Sequence, residues 1–141
     1  MGGYYKKVGQ AAMEYLVVVS MALFLLTPIL LMGQNAIDGL RKDSNTLIAR
    51  QTLNKFTEAS ELVYAQGPPA AVTIKAQLPA NINETLFVEN MIVMRLKLYG
   101  RTGDIISSLD FNVTGNIPNE PGTYQINIRA IDNGVNITQK Q

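Results

Sequence analysis

Apolar and polar positions follow three different rhythms along the chain. Residues 11–32, AAMEYLVVVSMALFLLTPILLM, are apolar without a period, and Glu14 is the single charge among them. As a helix rising about 1.5 Å per residue this run is about 33 Å long, which matches the hydrocarbon core of a bilayer. Beyond it, Ile37, Leu40, Leu47, Ile48, Phe56, Ala59, Leu62 and Val63 return at steps of three and four among polar residues, the period of an amphipathic helix. Gly33 and Gly39 weaken that helix by about 1 kcal/mol each relative to Ala, but the first strong stop is Gly67-Pro68-Pro69. The spacing predicts one long helix over residues 10–66, apolar in its first half and amphipathic in its second. Pro28 removes the hydrogen bond to the Phe24 carbonyl, so a kink or local loosening is expected near residues 24–28; simple tolerance of a proline in a membrane helix is the alternative.

After the proline pair the period becomes two. Val72, Ile74, Ala76 and Leu78 alternate with Thr73, Lys75 and Gln77, a strand with one wet face. Residues 86–88 and 91–99 read as a hairpin about Glu89-Asn90. Residues 105–114 read as one alternating strand reached through a turn at 100–103. Tyr124, Ile126, Ile128 and Ala130 form the inward face of another strand, and Asn133-Gly134 is a strong hairpin signal leading into Val135-Asn136-Ile137-Thr138. Residues 70–141 are therefore expected to form a small antiparallel β domain of five or six strands. The overall class is α+β. The segment EPGTYQINIRAIDNG resembles the late strands of an immunoglobulin-like sandwich, with Tyr124 at the place of a tyrosine corner.

Composition narrows the chemistry. The 141 residues include no Cys, no His and no Trp, which removes imidazole-dependent triads, thiol nucleophiles, zinc–thiolate sites and disulfides. No paired carboxylates, phosphate-binding glycine loop or metal-ligand spacing is evident, and Asp104, Asp110 and Asp132 read as turn or solvated residues. The chain is not expected to be an enzyme or to hold a cofactor or metal. A formal net charge of +1 gives no basic field of the kind nucleic-acid binders carry, so no nucleic acid is expected in the core function. Charge is nevertheless uneven: only Lys6, Lys7 and Glu14 precede Asp38. Two lysines before the apolar run and no Lys or Arg after it until Arg41 predict a cytoplasmic N-terminus and an external remainder. A removable secretory signal fits less well, because its apolar region usually covers about 7–15 residues and Gly33-Gln34-Asn35-Ala36 is a weak cleavage site. Three N-x-[ST] sequons, at Asn83, Asn112 and Asn136, are candidate N-glycosylation sites on the external side, although an Asn- and Thr-rich chain also produces sequons by chance.

The most specific stretch is the junction Lys6-Lys7-Val8-Gly9-Gln10-Ala11-Ala12-Met13-Glu14-Tyr15-Leu16. It resembles the class III signal peptide of type IV pilin-like proteins, especially the archaeal group with a short basic leader, Gly then Gln at the cut, and a Q-x-S-x-E pattern opening the apolar helix. Ala12 stands where Ser is usual and Val18 where Leu is often found. The resemblance covers residues 6 to about 32 closely, extends to the long helix by architecture, and does not cover the β domain in detail. It implies residues 1–9 as a leader, removed by a prepilin peptidase between Gly9 and Gln10. It further implies a membrane-stored precursor that becomes a homo-oligomeric helical filament at the cell surface, with a pilus assembly ATPase and a membrane platform protein as partners and adhesion as the purpose. Glu14, fifth in the implied mature chain, would set subunit register by pairing with the new Gln10 α-amino group of a neighbour.

A carboxylate within an apolar run is unfavourable by roughly 2.5–3.5 kcal/mol at mid-bilayer, and intramembrane ionisable residues are usually functional. No Lys or Arg lies within a helical turn of Glu14; snorkelling to the headgroups or protonation is the plainer account. The competing function is a membrane-anchored β module that binds without polymerising, or a minor tip subunit with an adhesive head.

Overall fold

A computed structural model describes the backbone of residues 2–98 and 100–140, and the side chains of residues 9–98 and 100–140. The side chains of Lys6 and Lys7, and Tyr99 at the end of an expected strand, lie outside the described residues. The chain is α+β, with a helix α1 (Gly2–Gln66) followed by seven strands in two sheets. It divides into two compact units, one ending at Arg41 and the other covering Lys42–Gln141.

In the first unit the helix begins at Gly2 rather than at the expected Gln10, so the Gly9-Gln10 junction lies inside it. Helical structure also continues without interruption through Pro28. The Thr27 hydroxyl donates to the Leu23 carbonyl at 2.9 Å, beside the carbonyl of Phe24 that Pro28 leaves without its helical donor.

In the second unit α1 is a core element. Ala49, Thr52, Leu53, Phe56, Ala59, Ser60 and Val63 are buried, and their spacing by threes and fours places them on one face. Of the apolar positions read from sequence, Phe56, Ala59 and Val63 face the β domain, whereas Leu47 and Leu62 are exposed. The helix stops as its sequence dictates. Gly67 takes φ of +72°, its N–H donates to the carbonyls of Val63 and Tyr64 at 3.1 Å each, and the cis Pro68-Pro69 bond follows.

The strands are β1 (Ala71–Leu78), β2 (Ile82–Val88), β3 (Met91–Leu98), β4 (Arg101–Ser108), β5 (Asn112–Asn116), β6 (Gly122–Ile131) and β7 (Gly134–Gln139). One sheet has the order β1-β6-β7-β5 and the other β2-β3-β4. All neighbouring pairs are antiparallel except β5 and β7, which are parallel. The sheets meet where β2 and β5 come together. The helix closes the opposite side: the Thr52 hydroxyl donates to the Gln77 carbonyl of β1 at 2.6 Å, and the Thr57 and Ser107 hydroxyls, on α1 and β4, are 2.7 Å apart. Phe56 and Leu53 thus join Ile92, Met94 and Leu96 from one sheet and Ile126, Ile128 and Ile137 from the other in one core.

Three expectations need correction. Residues 105–114 are not one strand, because the chain leaves β3 after Ser108 and joins β7 from Asn112. Leu109, Phe111 and Val113 stay buried through the crossing, so the alternation persists while the hydrogen-bond partner changes. The crossing is anchored on the β2–β3 turn: the Leu109 and Val113 N–H groups donate to the Asn90 and Glu89 carbonyls, and Asn90 Nδ2 donates to the Leu109 carbonyl at 2.9 Å.

Second, the loop after β6 is Asp132-Asn133, with Gly134 already in β7, opposite Ile131. Glycine is needed there for another reason: a Cβ on Gly134 would lie 2.0 Å from the Asn112 carbonyl oxygen of the neighbouring parallel strand.

Third, the strand order is not that of an immunoglobulin sandwich, in which the first strand shares a sheet with the second, fourth and fifth. The Tyr124 hydroxyl has no hydrogen-bond partner among the described residues, so it makes no tyrosine corner; its ring lies against Gly122.

Candidate functional site

The apolar run is the feature of the first unit that packing inside the chain does not explain. Met13, Leu16, Val17, Met21, Phe24 and Leu30 are each between 58% and 78% exposed, and the rest of the run is exposed too except for a half-buried Val19. A helix of this length and apolarity can cross a bilayer, and none of its apolar window is buried within the chain. An exposed apolar surface of this size in water would be unfavourable by roughly 25 cal/mol per Å², so it requires lipid or other protein around it.

Glu14 stands near the start of this run. Gln10 Nε2 donates to Glu14 Oε1 at 3.4 Å, a long contact between side chains four apart on one helical face. Glu14 therefore has a neutral neighbour in its own chain, a contact readable from the i, i+4 spacing and absent from the expectations above. Gly9 precedes this pair in open surroundings, with no atom near the place a Cβ would occupy. The structure thus brings Gln10 to Glu14 and sets Gly9 next to Gln10 on the same helix, whereas Pro28 lies further along the run.

The sequons differ in access. Asn112 and Thr114 are both exposed on β5, Asn136 and Thr138 are half-buried on central β7, and Asn83 is half-buried on β2 with Thr85 buried. The Thr85 N–H donates to Asn119 Oδ1 at 3.0 Å, which ties that sequon to the segment before β6. Asn112 is the most accessible acceptor of the three.

On the outer surface of the β2-β3-β4 sheet, Arg95 pairs with Glu84 on one side and with Asp104, at 2.9 Å, on the other. The hydrogen bond and charge of Asp104, then those of Glu84, raise the Arg95 pKa above its ordinary value. These three residues sit opposite one another in register across the sheet, so they read as a cross-strand ladder. A shallow groove of about 460 Å³ between α1 and β1 is lined by Lys55, Glu58, Leu62, Val72, Ile74 and Lys75. Among the described residues no three His, Cys, Asp or Glu side chains cluster to hold a metal. No known protein family, curated protein or solved structure matches this chain.

Proposed function

We propose that the chain is the structural subunit of an extracellular type IV pilus-like filament that serves surface adhesion. The observation that carries this reading is the apolar run of residues 11–32, exposed throughout except for a half-buried Val19 and interrupted by one carboxylate beside a Gly-Gln junction. In the precursor lipid covers the run. In the filament neighbouring helices take the place of lipid, and each fully buried Leu, Ile, Val or Phe is then stabilised by roughly 1.5–3 kcal/mol relative to water. A head-to-tail contact whose rotation does not close gives an open helical polymer.

A prepilin peptidase cuts after Gly9 on the cytoplasmic face, and the freed Gln10 amine pairs with Glu14 of the next subunit. Because the junction is helical, cutting requires local unwinding, and Gly9 makes that easier by about 1 kcal/mol relative to Ala. The assembly ATPase and platform protein supply the work of extraction, and the β domain faces outward without catalytic chemistry of its own.

Cells making this protein should carry thin surface filaments that an antibody against the β domain labels along their whole length. Labelling confined to the cell membrane would overturn the filament reading in favour of an anchored β module.

A further inference from the structure

The outer face of the β1-β6-β7-β5 sheet has a composition unlike the rest of the domain. Strand register sets its rows: Thr73 lies opposite Asn127, Asn127 opposite Thr138, and Thr138 opposite Asn116. In the next row Arg129 lies opposite Asn136 and Asn136 opposite Thr114. On the other side Lys75 lies opposite Gln125, whose carbonyl accepts from the Lys140 N–H at 2.9 Å. The outward positions of these four strands carry no Asp or Glu. Lys75, Arg129 and Lys140 are exposed and form no ion pair among the described residues, although Lys75 borders the α1–β1 groove that Glu58 also lines; Arg95 on the other sheet is by contrast held by two carboxylates.

We infer that this face binds an anionic polysaccharide, a sugar chain bearing carboxylate or sulfate groups. Strands spaced about 4.8 Å apart put Lys75 and Lys140 about 10 Å from each other, and four residues along β6 put Arg129 about 13 Å from that row. These exposed side chains enclose no pocket for one small anion; spread over the face, they present separate charges that suit successive anionic groups on a polymer. Between them stand amides and hydroxyls, which both donate and accept and so match sugar hydroxyls. The face carries no aromatic side chain on which nucleobases could stack, and its three cations would neutralise few duplex phosphates, so a sugar chain is favoured over nucleic acid. Asn136 lies in the middle of the face, so the inference assigns it to ligand contact and requires it to be unmodified. The inference concerns the β domain alone and does not depend on polymerisation.

The test uses the full chain in detergent micelles at low ionic strength. Its probes are polygalacturonate, dextran sulfate, neutral dextran and duplex DNA. Binding to polygalacturonate, dextran sulfate or both is expected, weakening as salt rises, with no binding to neutral dextran; the two anionic arms report whether carboxylate or sulfate is preferred. The triple variant Lys75→Gln, Arg129→Gln, Lys140→Gln should keep its thermal midpoint and lose at least about tenfold in affinity. The variant Lys97→Gln, Arg101→Gln, altered outside this face, should bind within about twofold of the parent. Failure to bind either anionic polysaccharide, an unchanged affinity in the triple variant, equal or tighter binding to duplex DNA, or a glycan on Asn136 would each overturn the inference.

Discussion

The rings of Tyr64 and Phe111 are stacked, with centroids 4.1 Å apart and planes 17° from parallel. Tyr64 is near the end of α1 and Phe111 is in the crossing from β4 to β5, so this contact fastens the helix to the place where the chain changes sheets. Together with the Thr52 and Thr57 hydrogen bonds it makes the second half of α1 part of the β domain's core. A region of about 70 residues without disulfides has a marginal core if left alone.

Cutting the helix near Asn35, ahead of these contacts, and removing it altogether should therefore have different effects. A fragment starting near Asn35 is expected to unfold cooperatively, whereas one starting near Ala70 should lack a cooperative transition. Phe56→Ala in the longer fragment should destabilise it by about 3–5 kcal/mol, because Phe56 has no exposed surface. Denaturant titration followed by circular dichroism checks both. An isolated 70–141 fragment as stable as the longer one would remove the helix from the core.

Gly134→Ala should be among the most damaging single-methyl additions in the β domain. The added carbon would meet the Asn112 carbonyl oxygen at 2.0 Å, and the φ of +155° is one that alanine rarely adopts. Relief requires β5 and β7 to move apart, with an expected loss of roughly 1–3 kcal/mol. A thermal midpoint equal to that of the parent would show that these two strands are not held as closely as described.

Ser60→Ala should move stability the other way. Its side chain is fully buried and Oγ has no hydrogen-bond partner among the described residues, so the hydroxyl has lost water without replacement. Alanine keeps the tight helix approach and has higher helix propensity, giving an expected gain of up to about 1 kcal/mol in the same denaturation assay. A loss of that size would show that the hydroxyl is bonded in solution.

Much of this architecture is legible from local pattern. The helix end at Gly67-Pro68-Pro69, the Glu89-Asn90 hairpin and the inward face of β6 each follow from a few adjacent residues. The buried face of α1 is harder to read, because Leu47 and Leu62 carry strong apolar signal yet are exposed, while Ala49, Thr52 and Ser60, outside the apolar stripe, are buried. Small side chains allow close approach to the sheets, and hydrophobicity alone does not mark them. The crossing at residues 109–111 is invisible for a different reason: alternation reports which side of a strand is buried and says nothing about which strand it pairs with. The parallel β5–β7 pair and the two-sheet order have the same non-local origin. At the junction, the basic leader, Gly9, Gln10 and Glu14 stand out in sequence, but the helix that encloses them does not.

Glu14 should matter for assembly and little for folding. Glu14→Ala and Glu14→Gln should be processed and keep a folded β domain, yet fail to form filaments as the sole subunit, because a buried register contact has lost its charge. Electron microscopy of sheared material with the mature mass measured in parallel separates assembly from processing. Normal yields of Glu14→Ala filaments with unchanged helical spacing would leave Glu14 as an interfacial residue or a contact for the processing machinery.

The central claim is that this chain is cut and then polymerised, and the N-terminal residue of the protein in sheared surface filaments tests it most directly. Filament protein should begin at Gln10 or its cyclised form, while Gly9→Leu should leave only uncut, membrane-bound chain and no filaments. Filaments built of protein that still carries Lys6 and Lys7, or cut protein found only in the membrane fraction, would contradict it.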